Sequence, residues 1–366
     1  MSSLIRPESL DFLRRLLTTP SPSGFEREAQ QLWIDYVAPY ADGVTSDVYG
    51  NVVATLNPGA PTSILVEGHC DEIGLMVAHI DDSGFIYSKS IGGIDAAVVP
   101  GKRLRIHGAK GTVLGVTGAT AIHLRDKDKA AEVRKLHELF IDIGAKSADE
   151  VKERGVRVGD AMTFADDFEL LTEHLCVARA LDNRIGTWVA AETLRTLKES
   201  GAALGVTVHA ASCVQEEVGL RGAQMITTTL KPDMALVTDV GHATDSPGID
   251  HRLHGKVKLG EGPILSFGGA MHPEMTKRLL AVAEEIQVPL QREAEPGGSG
   301  TDADMTFKTS GGCATALLGL PIRYMHTTVE MTDLRDLQRI VELYVAFIRS
   351  LNHGERITVP LNIPRK

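Results

Sequence analysis

The chain has no apolar run approaching the ~20 residues that a membrane-spanning helix needs. Its first residues, Met1-Ser2-Ser3-Leu4-Ile5-Arg6, lack the apolar core of a secretory signal. Positive charge is in deficit as well: 38 Lys and Arg stand against 48 Asp and Glu, a formal net charge of -10. Nucleic acid and anionic membrane both select basic surface, so neither is an expected partner. Cysteine is sparse, with Cys70, Cys176, Cys213 and Cys313 far apart and no Cys-x-x-Cys pair among them. Cys176 and Cys213 lie in apolar, strand-like runs, where a buried free thiol is the ordinary expectation. A reduced, cytoplasmic compartment follows. Internal repeats and low-complexity linkers are missing too.

What is present is a globular composition, 43% apolar and 23% charged over 366 residues, long enough for two domains. Leu10, Leu13 and Leu17 keep helical spacing until Pro20-Ser21-Pro22-Ser23-Gly24 stops the run. A second helical face carries Ala29, Leu32, Trp33 and Tyr36. Strand-like stretches at 51–56 and 63–68 follow, an α/β opening. From 73 to 164 the texture changes to short strands with glycine turns, Asp81-Asp82-Ser83-Gly84 and Gly108-Ala109-Lys110-Gly111. These predict a small β-barrel or sandwich inserted in the chain. The run Arg125-Asp126-Lys127-Asp128-Lys129 within it reads as a solvated loop. After 165 the α/β rhythm returns, with helices expected near 183–198, 274–287 and 333–351 and strands near 206–213, 234–240 and 314–320.

Residues able to bind metal stand where these strands end. His69 and Asp71 are two apart, so both side chains can point one way while Cys70 faces the other. A metal-bound imidazole needs its second nitrogen held, a task for Asp71; a surface histidine beside a turn acid is the plainer reading, and Glu72 reads as structural. Asp182 opens a helix, where a capping aspartate is common, but one carboxylate can also bridge two ions. Glu216 and Glu217 are adjacent, so one can ligate while the other serves as general base; a glutamate pair opening a helix is also favoured by the helix dipole alone. Asp239 follows an apolar strand, and His326 follows Pro321-Ile322-Arg323-Tyr324-Met325 with Glu330 nearby. Each has an ordinary explanation; the set at successive strand ends does not. Imidazoles with carboxylates suit zinc, cobalt or manganese.

These segments resemble the tetrahedral (TET) dinuclear metallo-aminopeptidases, relatives of glutamyl, leucyl and deblocking aminopeptidases. The resemblance rests on Pro20 to Gly24, His69-Cys70-Asp71-Glu72-Ile73-Gly74, Ala180-Leu181-Asp182-Asn183-Arg184, Gln215-Glu216-Glu217-Val218-Gly219, Asp239 to Gly248, Gly300-Thr301-Asp302-Ala303 and Arg323-Tyr324-Met325-His326. It implies a three-layer sheet-and-helix catalytic domain of the phosphorylase/hydrolase-like metallopeptidase type, residues 1–72 and 165–366. A β-barrel-like insert at 73–164 would serve dimerisation and assembly. It implies two divalent metal ions, zinc or cobalt and otherwise manganese. His69, Asp182 and Asp239 would hold one, and Asp182, Glu217 and His326 the other, with Glu216 as general base and Asp71 as orienting acid. The substrates implied are short peptides, cut one N-terminal residue at a time inside a twelve-subunit tetrahedral shell built from dimers. Edge strands of the insert are a further expected route to subunit pairing. A non-peptide amidohydrolase, a cellulase-like relative and a silent scaffold on the same fold are the alternatives. The loop Gly297-Gly298-Ser299-Gly300 is longer than the family pattern and leaves the preferred first residue open. Around Ala119-Thr120-Ala121-Ile122-His123 the family's usual prolines are missing.

Overall fold

The computed structural model describes residues 5–124 and 133–362, so the charged run at 125–129 lies outside the described residues. Two helices, Pro7–Thr18 and Arg27–Val37, open the chain and bury Phe12, Leu13, Leu16, Leu17 and Trp33. β1 (Gly43–Ser46), β2 (Val52–Leu56) and β3 (Ser63–His69) follow. Next come β4 (Gly74–Ile80), β5 (Ile86–Ile91), β6 (Arg103–Gly108), β7 (Gly111–Gly118), β8 (Phe140–Asp142) and β9 (Ala161–Phe164). Two short strands, β10 (Glu169–Leu170) and β11 (Leu175–Ala178), lead back to the main sheet. The later strands are β12 (Thr207–Cys213), β13 (Met234–His242), β14 (Ile264–Gly268), β15 (Gln291–Glu295), β16 (Ala314–Ile322) and β17 (Glu330–Asp333). No helix among the described residues is long and apolar enough to cross a membrane.

Alternation along the central strands decides the layers. The main sheet has the order β1-β2-β12-β3-β13-β16-β14-β15, and its centre, β12-β3-β13-β16, is parallel. Successive side chains of a strand face opposite ways. Ile64 and Val66, Val208 and Ala210, and Met234 and Leu236 therefore meet one core with Trp33, Trp188 and Tyr344. Leu65, Ala211, Ala235 and Val237 meet the other, with Ile226 from the helix Arg221–Leu230 and Ala303. Helices cover both faces, which gives the three-layer α/β arrangement and explains why these strands read as unbroken apolar runs.

The six strands from 74 to 164 close into a barrel, β4-β5-β8-β7-β6-β9, around a separate core of Leu75, Val77, Ile86, Leu104, Ile106, Ile141 and Met162. Its first turn forms as the sequence predicts: Asp81 Oδ1 accepts the amides of Ser83 and Phe85, each at 2.9 Å. A closed barrel has no free edge, so pairing through edge strands of this insert is not open to it. What β7 offers instead is Leu114 and Val116 on its outer face, 58% and 45% exposed.

Where β3 gives way to β4, Glu72 is buried and takes both Arg179 and Arg184. The amide of Ser21 donates to the same carboxylate at 3.0 Å, and Arg184 also donates to Ser21 Oγ and to the carbonyl of Leu16. This network pins the segment after the first helix against the end of β3. Burial works to raise the Glu72 carboxyl, but the charges of Arg179 and Arg184 outweigh it and hold it below the ordinary range. A carboxyl depressed in the fold contributes stability that is present above its unfolded value, about 4.3, and is lost as pH falls through the folded value. Replacing Glu72 with Gln leaves two buried guanidinium groups without a countercharge, which costs about 3–5 kcal/mol. Urea unfolding of Glu72→Gln in chelator at neutral pH is expected to show that loss, with the gap to the parent closing at pH values below about 4. Equal stability of the two proteins at neutral pH would strip the network of its structural role.

Candidate metal centre

All seven residues singled out from the sequence meet at the carboxyl ends of the parallel strands, the crevice where open α/β sheets place their sites. His69 ends β3, Glu216 and Glu217 lie in the loop after β12, and His326 lies in the loop after β16. Asp239 is not past its strand but inside β13, which continues to His242. Asp182 reaches the same point from the start of the helix Leu181–Ser200, after the short strand β11 rather than after a strand of the main sheet. His69 Nε2 is 3.3 Å from Asp182 Oδ1 and 3.5 Å from Glu216 Oε2. His326 Nε2 is 3.3 Å from Asp182 Oδ2 and 3.7 Å from Glu217 Oε2. Asp182 thus turns one carboxylate oxygen to each imidazole. The donor atoms of His69, Asp182 and Glu217 lie within 4.8 Å of one another, as do those of His69, Glu216 and Asp239.

Asp71 organises the surrounding backbone. Its oxygens accept the Ser23 hydroxyl at 2.6 Å and the amides of Glu216 and Glu217 at 3.0 and 3.2 Å. His69 Nδ1 lies 3.4 Å from Asp71 Oδ1 and 3.1 Å from its main-chain oxygen. The glutamate pair does not open a helix, contrary to one sequence reading: Gln215 and Leu220 take left-handed backbone angles, and the helix starts only at Arg221. The dipole explanation for the pair therefore falls away. Glu330 does a similar task opposite Asp71, accepting the amide of Asp182 at 3.1 Å and that of His326 at 2.8 Å. Ser23 carries no sequence signal for this, because it acts on a carboxylate distant in the chain; Glu330 stands out only as an acid near His326, and its contact to Asp182 is long-range.

Charge is crowded and largely unpaired here. Burial, followed by neighbouring carboxylates, raises Glu217, while Glu216 and Asp239 are raised by burial against the pull of His69. Burial also works on Asp182, but hydrogen bonds from His326 and His69 outweigh it and keep that carboxyl well below the ordinary range. The Asp182 contact lifts His326 to about 9 against burial, and in His69 the carboxylates of Glu216, Asp182 and Asp71 overcome a strong opposing burial effect. Glu217 Oε1 and both oxygens of Asp302 are buried without a hydrogen-bond partner, a rare condition for buried carboxylates. Among the described residues no lysine or arginine lines the adjoining pocket, which measures about 510 Å³ and is walled by Glu216, Asp239, His326 and the loop at Ser299. A second pocket of about 540 Å³, between Lys231, His272 and Arg356, contains none of the seven residues.

Comparison with known proteins agrees with this geometry. The family model described as M42 glutamyl aminopeptidase matches residues 50–343. The chain belongs to the M42 aminopeptidase family. A lysyl aminopeptidase from Pyrococcus furiosus is 34% identical over 346 residues, covering 93% of this chain and 97% of that protein. The structure of a TET aminopeptidase from the marine sediment archaeon Thaumarchaeota archaeon SCGC AB-539-E09 superposes with a TM-score of 0.89 at 34% identity, over 94% of this chain and 97% of that one. The TET1 peptidase of Pyrococcus horikoshii, which assembles into a tetrahedron or a large octahedral shell, gives 0.82 at 30% identity over 94% of this chain and all of that one. The family resemblance read from the sequence motifs is therefore correct, and the fold is that of these peptidases.

In this M42 chain the site depends on close backbone packing. A Cβ at Gly68 would stand 2.4 Å from the carbonyl carbon of Gly186 and 2.5 Å from its Cα. Gly68→Ala must push β3 away from the helix that begins beside Asp182, an overpacking that costs about 1–3 kcal/mol. Thermal unfolding of Gly68→Ala is expected to show a midpoint lowered by several degrees; an unchanged midpoint would refute the tight contact.

Proposed function

We propose that the protein is a dinuclear metallo-aminopeptidase that removes the N-terminal residue from short peptides. The observation that carries this reading is Asp182, buried between two imidazoles with one oxygen 3.3 Å from each. The residues fit divalent cations: acids crowd together without a lysine or arginine, Glu217 Oε1 has no partner, and the oxygen-and-imidazole donor set suits zinc or cobalt, with manganese acceptable. His69, Asp182 and Asp239 would hold one cation and Asp182, Glu217 and His326 the other. When bound, the pair supplies Lewis acidity for the scissile carbonyl and for an attacking water.

The remaining steps belong to side chains. Glu216, at the pocket wall, takes the proton of the attacking water and returns it to the departing amine. Asp71 is a positioning residue: it fixes the amide of Glu216 and the ring of His69, and touches no substrate. The acidic wall attracts a free α-amino group, which favours cleavage at the peptide's first bond. With Glu216→Gln the amide cannot accept a proton, so turnover is expected to fall about 100- to 10,000-fold while bound metal, measured by elemental analysis, stays at the parental level. Retention of about a tenth of the parental rate at full metal content would falsify the assignment of Glu216.

We assign residues 1–72 and 165–366 to catalysis and 73–164 to assembly, and we place the protein in the cytoplasm, where its four buried cysteines remain free thiols. The outward Leu114 and Val116 of β7 support a contact role for the barrel. We place the chain in dimers joined into a tetrahedral dodecamer that admits only unfolded peptides; the tetrahedron formed by the Pyrococcus horikoshii relative, which also forms an octahedral shell, supports a closed assembly. Light scattering is expected to give a particle about twelve-fold heavier than the 39.4 kDa chain. Leu114→Glu with Val116→Glu should break it down; an active monomer in the parent would reject the shell and leave the metal reading intact.

A further inference from the structure

The pocket has a second acidic wall that neither the cation ligands nor Glu216 account for. β15 reads Gln291-Arg292-Glu293-Ala294-Glu295 and alternates between half-buried and exposed positions. Glu293 and Glu295 therefore share one face, and both line the pocket. Arg292 points the other way and stacks over Phe267, 4.4 Å from the ring centroid. Gln291, on the same face as the two acids, is already used by the backbone of Lys258 and Gly262. Glu293 has only a long contact to Ser266 Oγ, at 3.4 Å, and among the described residues neither acid makes an ion pair. Burial, then the adjacent charge of Glu295, raises the Glu293 carboxyl.

The metal centre and this wall line one and the same pocket. Asp239 pairs with Gly319 across β13 and β16, Ile264 of β14 lies opposite Gly319, and Ser266 lies beside Glu293. That is three strand spacings of about 4.8 Å and two residues along the strand, a separation suited to a long side chain rather than a short one. Gly241 lies two residues beyond Asp239 on the same strand, so it faces the same way, and a Cβ there would stand 2.5 Å from Cδ1 of Ile264 and 3.9 Å from Glu293 Oε2, so the floor between the two acidic walls is Ile264 packed on a glycine. Partly desolvated carboxylates without a partner favour a cation that brings its own hydrogen-bond donors, and they repel a carboxylate. Lysine reaches such a wall with a point charge on a flexible four-carbon stem, and arginine with a planar fork.

We infer that Glu293 and Glu295 receive the side chain of the substrate's first residue, so that the enzyme removes N-terminal lysine or arginine and rejects glutamate or aspartate. This rests on the aminopeptidase reading. Kinship alone does not choose, since the family is described as glutamyl and one relative as lysyl.

The test compares kcat/KM of the cobalt-reconstituted protein on lysyl, arginyl, leucyl and glutamyl p-nitroanilides. Lysyl and arginyl substrates are expected to exceed leucyl by about 10- to 100-fold, the value of a charge-assisted hydrogen bond, with glutamyl lowest. In Glu293→Gln with Glu295→Gln, the lysyl-to-leucyl ratio is expected to collapse by the same factor. A parent that cleaves leucyl or glutamyl substrates as well as lysyl overturns the inference and leaves the aminopeptidase standing. The melting shift given by L-lysinol against L-leucinol, neither of which can be hydrolysed, reads the pocket without turnover. If no p-nitroanilide is cleaved yet lysinol stabilises the protein more, the wall stands and the reaction assigned to it fails. Equal shifts overturn the wall itself.

Discussion

One buried carboxylate, that of Asp71, ties the site together. It is shielded from water, and burial alone would favour its neutral form. The contacts of His69, the Ser23 hydroxyl and the Glu216 amide reverse that preference and keep it charged. The result is a single anion that fixes the end of β3, the loop after β12 and the segment after the first helix relative to one another. Those three pieces are remote in sequence, and backbone amides held by a charged acceptor make stronger contacts than neutral pairs. Ser23 is available to Asp71 only because the Glu72, Arg179 and Arg184 network clamps its neighbour Ser21. The ion pairs behind the site thus set the geometry in front of it.

The same region is costly to fold. Buried carboxylates this close repel one another and are held at the expense of stability, a common condition of active sites. The sheet makes the crowding tolerable. Strands β12, β3, β13 and β16 are covered by helices on both faces, so their carboxyl ends cannot spread apart to relieve the repulsion. Gly68 and Gly186 let the helix carrying Asp182 lie against β3 at backbone distance. Divalent cations relieve a repulsion that the fold imposes.

Most of the catalytic framework was legible in the sequence because its signals are local. Apolar runs marked β3, β12, β13 and β16, and an acid or histidine close to the end of such a run has few structural reasons to be there. The helix Arg221–Leu230 went unread because Thr227, Thr228 and Thr229 are poor helix formers and its register is set by packing of Ala223 and Ile226 on the sheet. β14 and β15 were missed for another reason: β15 is Gln-Arg-Glu-Ala-Glu, nearly all polar and alternating half-buried with exposed positions, a pattern of a half-exposed edge rather than a core strand. Closure of the barrel was also beyond the sequence, since the glycine turns at Gly84 and Gly111 identify hairpins but not which strands meet at the seam. Ser23 gave no signal because its partner is a carboxylate many residues away, and Glu330, visible only as an acid near His326, gave no sign of its distant contact to the Asp182 amide.

This difference between central and edge strands bears on how chemistry and selectivity are separated. Of the residues proposed for cation binding and proton transfer, His69 and Asp239 lie on central strands, Glu216, Glu217 and His326 directly follow such strands, and Asp182 opens a buried helix, so a change of side chain there disturbs a core. The first side chain of the substrate meets β15, the last strand of the sheet, paired on one side only. Every second residue of β15 faces solvent, and the others face the pocket or its rim, so substitutions there do not repack the interior. In the adjoining loop Asp304 holds Ser299 and Gly300, but a Cβ at Gly297 would meet nothing within 4 Å, so a side chain can be added there. A family that keeps one hydrolytic centre can therefore alter which residue it removes by changing an edge strand and its loop, and the acids of β15 are this chain's choice.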